Sequence, residues 1–212
     1  MITGIKKLDA FLDAVENGVL INIFGARGTG KTQLSMQISI NLLQNRSGQI
    51  IYHDITGDFR PEKMAKIIEK YGMNMNLLDR VKILRIINTA EQMDHIQNMQ
   101  FGDILLLVID DVTDLFSFEY KNKFEKHTLF MKYMHRLSLT AIKKKIPIIV
   151  TNNASQINRT EFEHLKNIVD MYAHIKICLQ KINKKYYGIL STPWASESFY
   201  YQINYNGICI DK

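Results

Sequence analysis

The most constraining feature of this chain is the segment GARGTGKT at residues 25–32. An apolar run, VLINIF, precedes it at residues 19–24, and a predicted helix follows at residues 31–44. The match to G-x-x-x-x-G-K-[ST] between a strand and a helix is typical of a phosphate-binding loop. Its glycines let the backbone curl so that successive N–H groups point at phosphate, and the helix N-terminus adds the positive end of its dipole. The segment therefore predicts nucleotide binding within an α/β fold.

The residues of this loop have separate predicted roles. Lys31 is expected to reach the β- and γ-phosphates, and the Thr32 hydroxyl to complete a magnesium site. Arg27 could contact phosphate or a neighbouring subunit, although a solvated side chain is the commoner arrangement. The predicted nucleotide-contacting residues of this segment are Gly25, Ala26, Arg27, Gly28, Thr29, Gly30, Lys31, Thr32 and Gln33.

A candidate metal-binding acid follows the apolar run ILLLVI at residues 104–109. Asp110 stands at the end of this predicted strand, where a carboxylate of a phosphate-binding-loop protein polarises metal-bound water. Asp111 either orients water or begins the next loop. The pattern predicts a magnesium site formed by Thr32 and Asp110.

The other apolar segments alternate between strand and helix patterns up to about residue 172. Such alternation implies right-handed crossovers and a mostly parallel sheet flanked by helices. Beyond it, HIKICLQ, YYGILS and FYYQI follow one another without a helical segment, which indicates antiparallel strands at the C-terminal edge of the sheet. Strands are predicted at residues 19–24, 49–54, 80–86, 104–110 and 146–152, and helices at 5–15, 31–44, 61–72, 89–97 and 125–144.

Length and composition narrow the class of protein. The 212 residues suit a single domain, 1–212. The longest aliphatic run is far shorter than the roughly 20 residues that a membrane helix needs, and the N-terminus lacks the apolar core of a secretory signal. The two cysteines, Cys178 and Cys209, lie far apart in the sequence and form neither a metal-ligand pair nor a disulfide framework. A reducing cytoplasmic compartment is therefore expected. A formal net charge of +6 suits a polyanionic partner such as nucleic acid, although many basic proteins bind none.

Several segments occur in the order found in the core of the RecA/RadA recombinases, which the chain resembles. Gln33 and the sequence FRPEK favour the archaeal and eukaryotic branch of that superfamily over the KaiC-like branch. The segments begin at residue 3, so a core without an N-terminal helical DNA-binding domain is expected, and in this the chain is similar to the archaeal RadB group of recombinase paralogs. The segments are TGIKKLD (3–9), GARGTGKTQ (25–33), DITGDFRPEK (54–63), INTAEQ (87–92), LLLVIDDVTDLF (105–116), IIVTNN (148–153) and STPWASESFYYQINYNGICID (191–211).

The resemblance implies an ATP- and Mg²⁺-binding protein of RecA-like fold that assists homologous recombination and DNA repair. Its expected partners are DNA, with single strands favoured, and a recombinase or another repair protein. A homo-oligomer and a cytoplasmic, nucleoid-associated location are also expected. Two alternatives stay open: a KaiC-like single-domain signalling ATPase without DNA contact, and a nucleotide-binding adaptor whose only partner is a protein.

The resemblance also assigns residues outside the loop. It makes Asp110 the acid on the magnesium side of the nucleotide. Lys63 falls where relatives often have an arginine that stacks on adenine, and its shorter cationic stem could still cover the base. Asn153 occupies the position of a glutamine that senses the γ-phosphate, so the amide is kept but its reach is one methylene shorter.

One position departs from the pattern of the relatives in a way that affects catalysis. They have D-T-E-G where this chain has DITG at residues 54–57, so Thr56 replaces the catalytic glutamate. A threonine hydroxyl can hold water but is a poor base, and general-base assistance contributes about 10²- to 10⁴-fold. Hydrolysis is therefore predicted to be slow unless another acid substitutes. Asp111 and Asp58 are the candidates, of which Asp58 lies further along the strand end.

DNA contacts are expected from the loops after two strands. In the first, residues 116–127, basic residues interleave with aromatic ones, which suits phosphate neutralisation and base stacking. An exposed helix start with ordinary Lys/Glu mixing explains that segment equally well. The second loop, within residues 154–167, has a weaker basic character. The candidate DNA-contacting residues are Tyr120, Lys121, Lys123, Lys126 and Arg159.

Overall fold

The computed structural model describes residues 18–100, 102–157 and 160–210. The predicted opening helix and Arg159 lie outside the described residues. The strands are β1 Leu20–Gly25, β2 Gln49–Asp54, β3 Val81–Arg85, β4 Ile104–Asp110, β5 Ile148–Ile157, β6 Thr160–Glu163, β7 Ile175–Ile182, β8 Lys185–Ser191, β9 Ser196–Asn204 and β10 Gly207–Ile210. The helices are α1 Lys31–Asn45, α2 Pro61–Lys70, α3 Thr89–Asn98, α4 Asp114–Glu119, α5 Lys123–Lys144 and α6 Lys166–Tyr172, with a 3-10 helix at Met75–Arg80.

The strands form one mixed sheet in the order β10-β9-β8-β7-β1-β5-β4-β2-β3. Neighbours are parallel from β7 to β3, whereas β7, β8, β9 and β10 pair antiparallel. β6 is off this path and pairs antiparallel with the end of β5. The predicted α/β class, with a mostly parallel sheet and an antiparallel C-terminal edge, is confirmed.

The register of the parallel strands places their carboxyl ends at one edge of the sheet. Gly25 at the end of β1 pairs with Asn153 on β5, and Asp54 at the end of β2 pairs with Asp110 on β4. Ligands of open α/β sheets bind at this edge, outside the carboxyl ends of the strands. The segments predicted to be functional therefore converge here because of strand order.

Two hydrophobic cores lie on the two faces of the sheet. Helices α1 and α2 cover one face, where residues of β9 and β10 join the core, and helices α3 to α6 cover the other. Helix α1 is buried at every position from Leu34 to Leu43, because it packs on β1, β2, β4 and β5 and also contacts α2 and β10. The Gln37 side chain bridges to β10, donating to Ile208 O at 3.1 Å and accepting from Ile208 N at 2.8 Å.

The structure differs from the predicted elements mainly where segments are short. Helices α4 and α6 and the 3-10 helix were not predicted, because one or two turns give too little apolar periodicity to recognise. Strand β5 continues to Ile157, beyond the predicted end at residue 152, because β6 pairs with its extension. Among the described helices, none is both long and apolar enough to cross a lipid bilayer.

A buried imidazole on β2 predicts that the fold is sensitive to acid. His53 is 0% exposed, and its ring packs edge-on against His95 with centroids 5.6 Å apart. Burial, with a smaller contribution from His95, lowers the pKa of His53 from 6.5 to about 3. Between these two values the unfolded chain binds a proton that the folded chain excludes, so the free energy of unfolding should fall as the pH falls.

The His53→Leu variant tests this directly. Its free energy of unfolding should decline less steeply below pH 6.5, by up to about 1.4 kcal/mol per pH unit relative to the wild type. Urea denaturation from about pH 7 to about pH 4 measures the difference. His127→Leu, at a partly exposed histidine of α5, is the matched control. Parallel pH profiles for the wild type and His53→Leu would contradict the prediction.

Candidate nucleotide-binding site

The loop between β1 and α1 is curled as the sequence predicts. Gly28 and Gly30 have φ values of 80° and 91°, which side chains other than glycine rarely adopt. Gly25 is required for another reason, since a Cβ there would lie 2.0 Å from Leu179 O on β7. The Lys31 ammonium lies over the loop and donates to Gly25 O at 2.9 Å and to Ala26 O at 3.1 Å. The loop thus has the backbone that a phosphate group needs and a cation beside it.

Asp110 lies next to the first turn of α1 and is held on both carboxylate oxygens. Its Oδ1 accepts from Thr151 Oγ1 at 2.6 Å and from Thr32 Oγ1 at 3.1 Å, and its Oδ2 accepts from Tyr52 at 2.7 Å. The carboxylate is 4% exposed. A hydroxyl and a carboxylate side by side are hard oxygen donors of the kind that Mg²⁺ prefers. The donor set therefore fits the predicted magnesium site.

Asp111 is buried beside Asp110 and is constrained by its backbone conformation and by two hydrogen bonds. Its φ is 69°, its backbone N–H donates to Thr151 Oγ1 at 2.8 Å, and its Oδ2 accepts from the Asn153 amide. Burial, with smaller contributions from the charges of Asp114 and Asp110 and against a lowering by Lys31, raises the pKa of Asp111 to about 6. This carboxyl group titrates close to neutral pH, which is where a general base is most effective.

The turn after β2 holds Thr56 at the site. Asp54 accepts from Gly57 N at 2.8 Å, and Arg85 donates to Ile55 O at 2.7 Å. The Thr56 hydroxyl accepts from Asp58 N at 3.3 Å, so it takes part in the turn itself. A side chain at position 56 is therefore presented to the site by a turn that other residues stabilise.

These elements enclose a cavity of about 490 Å³ at the edge of the sheet. The residues Gly25, Ala26 and Thr29 belong to the loop but are not among those that line this cavity. Gln33 lines it, although its amide donates to Asn204 O at 2.8 Å. The predicted residues that line it are Arg27, Gly28, Gly30, Lys31, Thr32, Gln33, Thr56, Asp58, Lys63, Asp110, Asp111 and Asn153.

Four residues at or beside this cavity were not predicted from the sequence to be functional. Arg60 precedes α2 beside Lys63, and Thr151 and Ile203 reach the cavity from β5 and β9. Tyr52 lies beneath Asp110. Arg60 could have been found within the FRPEK segment, but the others are apolar or neutral residues of strands, and the sequence holds no signal that they reach the site.

The first candidate DNA loop is largely helical, so its description as a loop is wrong. Residues 114–119 form α4, and Lys123 and Lys126 lie in the first turn of α5. The Tyr120 ring stacks on Phe116 and its hydroxyl lies 3.2 Å from Thr89 Oγ1, so it packs against the protein.

Two phenylalanines of the same region are exposed instead. Phe118 and Phe124 are each 82% exposed, and Lys121 and Lys123 between them are also exposed. Two aromatic rings and two neighbouring lysines are therefore exposed together on this segment. This aromatic and basic surface, comprising Phe118, Lys121, Lys123, Phe124 and Lys126, follows the β4 strand that ends in Asp110.

A phosphate-binding loop at the end of a central parallel strand, an acid at the end of β4 and an antiparallel C-terminal edge define a RecA-like P-loop protein. The model of the Rad51 family matches residues 1–209. The chain belongs to the Rad51 family, within the RecA/RadA recombinase superfamily.

Curated relatives of the chain are DNA repair and recombination proteins. The RadB protein of Thermococcus sibiricus is 33% identical over 157 residues, which cover 72% of this chain and 67% of that protein. The DNA repair protein rhp51 of Schizosaccharomyces pombe is 28% identical over 76% of this chain and 48% of its own length. The RadA protein of Metallosphaera sedula is 29% identical over 71% of this chain and 51% of its own length. The chain thus spans about half the length of the latter two.

Proposed function

We propose that this chain binds ATP with Mg²⁺ and uses the nucleotide as a conformational ligand while it assists homologous recombination or DNA repair, as a RadB-like recombinase paralog. The observation that carries this proposal is the curled loop with Lys31 above it and the Thr32 hydroxyl 3.1 Å from Asp110 Oδ1. Mg²⁺ held by Thr32 and Asp110 would neutralise phosphate charge. Titration with a fluorescent ATP analogue in the presence of Mg²⁺ tests the proposal and should give saturable binding.

The nucleotide base is proposed to lie toward α2. Lys63 and Arg60 line that side of the cavity, and a cationic side chain can cover the face of an aromatic base. Any change in the protein that ATP produces is limited by the difference in its affinity for the two conformations. Asn153 and Asp111 are hydrogen-bonded to each other and both line the cavity, and they are proposed to respond to the terminal phosphate.

ATP hydrolysis by the chain is proposed to be slow. Thr56 has no carboxylate, and its hydroxyl already accepts a hydrogen bond from Asp58 N within the turn. Asp111 is the strongest substitute because it lines the cavity and its pKa is raised to about 6. Its bond with Asn153 opposes this role, because a base must be free to accept a proton from water.

Single-stranded DNA is the proposed polyanionic partner, bound by the aromatic and basic surface. Replacing Phe118 and Phe124 together with alanine should weaken the affinity by at least about tenfold, because base stacking contributes about 1–3 kcal/mol per base. The dependence of that affinity on salt should be unchanged. Replacing Lys121, Lys123 and Lys126 with alanine should instead lower the slope of log K against log salt by about 2, because each phosphate contact contributes about 0.7.

Fluorescence anisotropy with labelled oligonucleotides at several salt concentrations measures both effects. Alanine at Lys143 and Lys144 is the control, because it removes two lysines from the other end of α5. A loss in log K of about two thirds of that in the triple lysine variant would show that only overall charge matters. If no DNA affinity appears even at low salt, the proposal fails in favour of a protein-binding adaptor or a signalling ATPase.

A recombinase or another repair protein is the proposed protein partner, and further copies of the chain are a second. The names of the relatives support this, since each is a DNA repair or recombination protein. A cytoplasmic, nucleoid-associated location would follow from such partners. Sedimentation with and without ATP and DNA distinguishes a homo-oligomer from a monomer.

A further inference from the structure

The buried ring of Tyr52 lies directly beneath the candidate metal site. Tyr52 is on β2, is 0% exposed, and donates its hydroxyl proton to Asp110 Oδ2 at 2.7 Å. Thr151 and Thr32 donate to the other oxygen of the same carboxylate. Tyr52 is therefore the donor to the second oxygen, and without it only the two threonines on the first oxygen would orient the carboxylate.

The direction of this hydrogen bond follows from the chemistry of the groups. An ionised carboxylate has no proton to give, so the tyrosine hydroxyl is the donor. Burial and the negative charge of Asp110 raise the pKa of the Tyr52 hydroxyl well above its usual value, which keeps it protonated. Hydrogen bonds that end on a charged acceptor are about twice as strong as neutral ones. The contact is thus a strong and one-directional constraint on Asp110.

The ring of Tyr52 is itself held in place. It packs edge-on against Phe59, with ring centroids 4.8 Å apart, and Phe59 is 7% exposed. Ser35 Oγ lies 3.3 Å from the hydroxyl oxygen and donates to Thr32 O at 2.8 Å. The hydroxyl therefore has a fixed direction, because packing sets the ring and the sheet sets the backbone.

We infer that Tyr52 is a positioning residue that holds Asp110 in the orientation required for Mg²⁺ and so sets the magnesium dependence of nucleotide binding. This inference rests on the proposed function, because it assumes a magnesium nucleotide at Thr32 and Asp110. Groups that orient a metal ligand typically change metal affinity or activity by about 10- to 100-fold when they are removed. Tyr52→Phe removes the hydroxyl alone and keeps the ring that packs on Phe59.

The experiment compares binding of a fluorescent ATP analogue in EDTA and across a magnesium titration. In Tyr52→Phe the affinity in EDTA should stay within about twofold of the wild type, whereas the magnesium concentration for half-maximal tightening should rise by about tenfold or more. Tyr133→Phe is the matched control, because Tyr133 is also 0% exposed but lies on α5 in the other core. It should change neither quantity.

A double variant shows whether Tyr52 acts through Asp110. In an Asp110→Asn background, Tyr52→Phe should add little to the loss of magnesium dependence, because the two residues act as one unit. An unchanged magnesium midpoint in Tyr52→Phe, or an equal loss of affinity in EDTA and in Mg²⁺, would overturn the inference while leaving nucleotide binding intact. Failure of the wild type to bind the analogue in either condition would overturn the proposed function, and this inference with it.

Discussion

A Lys31→Ala variant is expected to lose about 100-fold or more in affinity for a fluorescent ATP analogue. Hydrogen bonds to charged groups contribute about 1.5–3 kcal/mol each, and every 1.4 kcal/mol is a factor of ten in affinity. Lys31 is the cation that lies over the loop, bonded to the carbonyls of Gly25 and Ala26 at 2.9 and 3.1 Å. Equilibrium titration with Mg²⁺ present measures the loss.

The control for this variant is Arg27→Ala, which removes a cation from the same loop. Arg27 is exposed and lines the rim of the cavity, so its loss should change the affinity only a few-fold, like that of other screened surface charges. Circular dichroism checks that both variants fold. Equal losses in the two variants would mean that the loop attracts nucleotide only through its overall charge, and an unchanged affinity in Lys31→Ala would rule out phosphate binding at this loop.

Thr56→Glu is expected to accelerate ATP turnover by about 100-fold, the lower end of what a positioned general base contributes. The turn that presents position 56 to the cavity is stabilised by Asp54, Gly57 and Arg85. A glutamate at this position should therefore leave the turn intact. Phosphate release under steady-state conditions, with and without single-stranded DNA, measures the rate. Thr56→Gln is the matched control, because it has the same length without a basic oxygen, and equal rates in the two variants would contradict the prediction.

Asp111→Asn tests the competing assignment of the base. If Asp111 activates water, wild-type turnover should be brisk, should disappear in Asp111→Asn, and should fall as the pH drops through about 6, where the carboxylate takes up a proton. If Thr56 marks a site without a base, turnover should be slow in both proteins. The structure favours slow turnover, because Asn153 already donates to Asp111 Oδ2.

The sequence predicted most long elements of the fold within one or two residues. The bounds of β2 and β4, Gln49–Asp54 and Ile104–Asp110, are those predicted, because each strand contains a run of strand-forming residues and ends at an aspartate. The order of the strands in the sheet could not be predicted from the sequence, because strand pairing joins segments that no local sequence pattern connects. The short helix α4 was also missed, which led to the wrong description of residues 116–127 as a loop.

Which aromatic side chain is exposed also depended on the tertiary structure. Tyr120 and Phe118 differ little in local pattern, yet the ring of Tyr120 packs on Phe116 while Phe118 is 82% exposed. Phe118 lies within α4, whereas Tyr120 follows its last residue. The order of basic and aromatic residues therefore indicated this segment, but it did not indicate which of the aromatic side chains are exposed.

The sequence by itself determined the phosphate loop, because glycine, lysine and threonine at fixed spacing impose their chemistry through local backbone geometry alone. It also showed that position 56 has a threonine and therefore no carboxylate. Only the tertiary structure decided how Asp110 is held, since Thr32 lies 78 residues and Tyr52 58 residues away along the chain. Parallel strands joined by helices bring such distant residues to one edge of the sheet, and no local pattern encodes that distance.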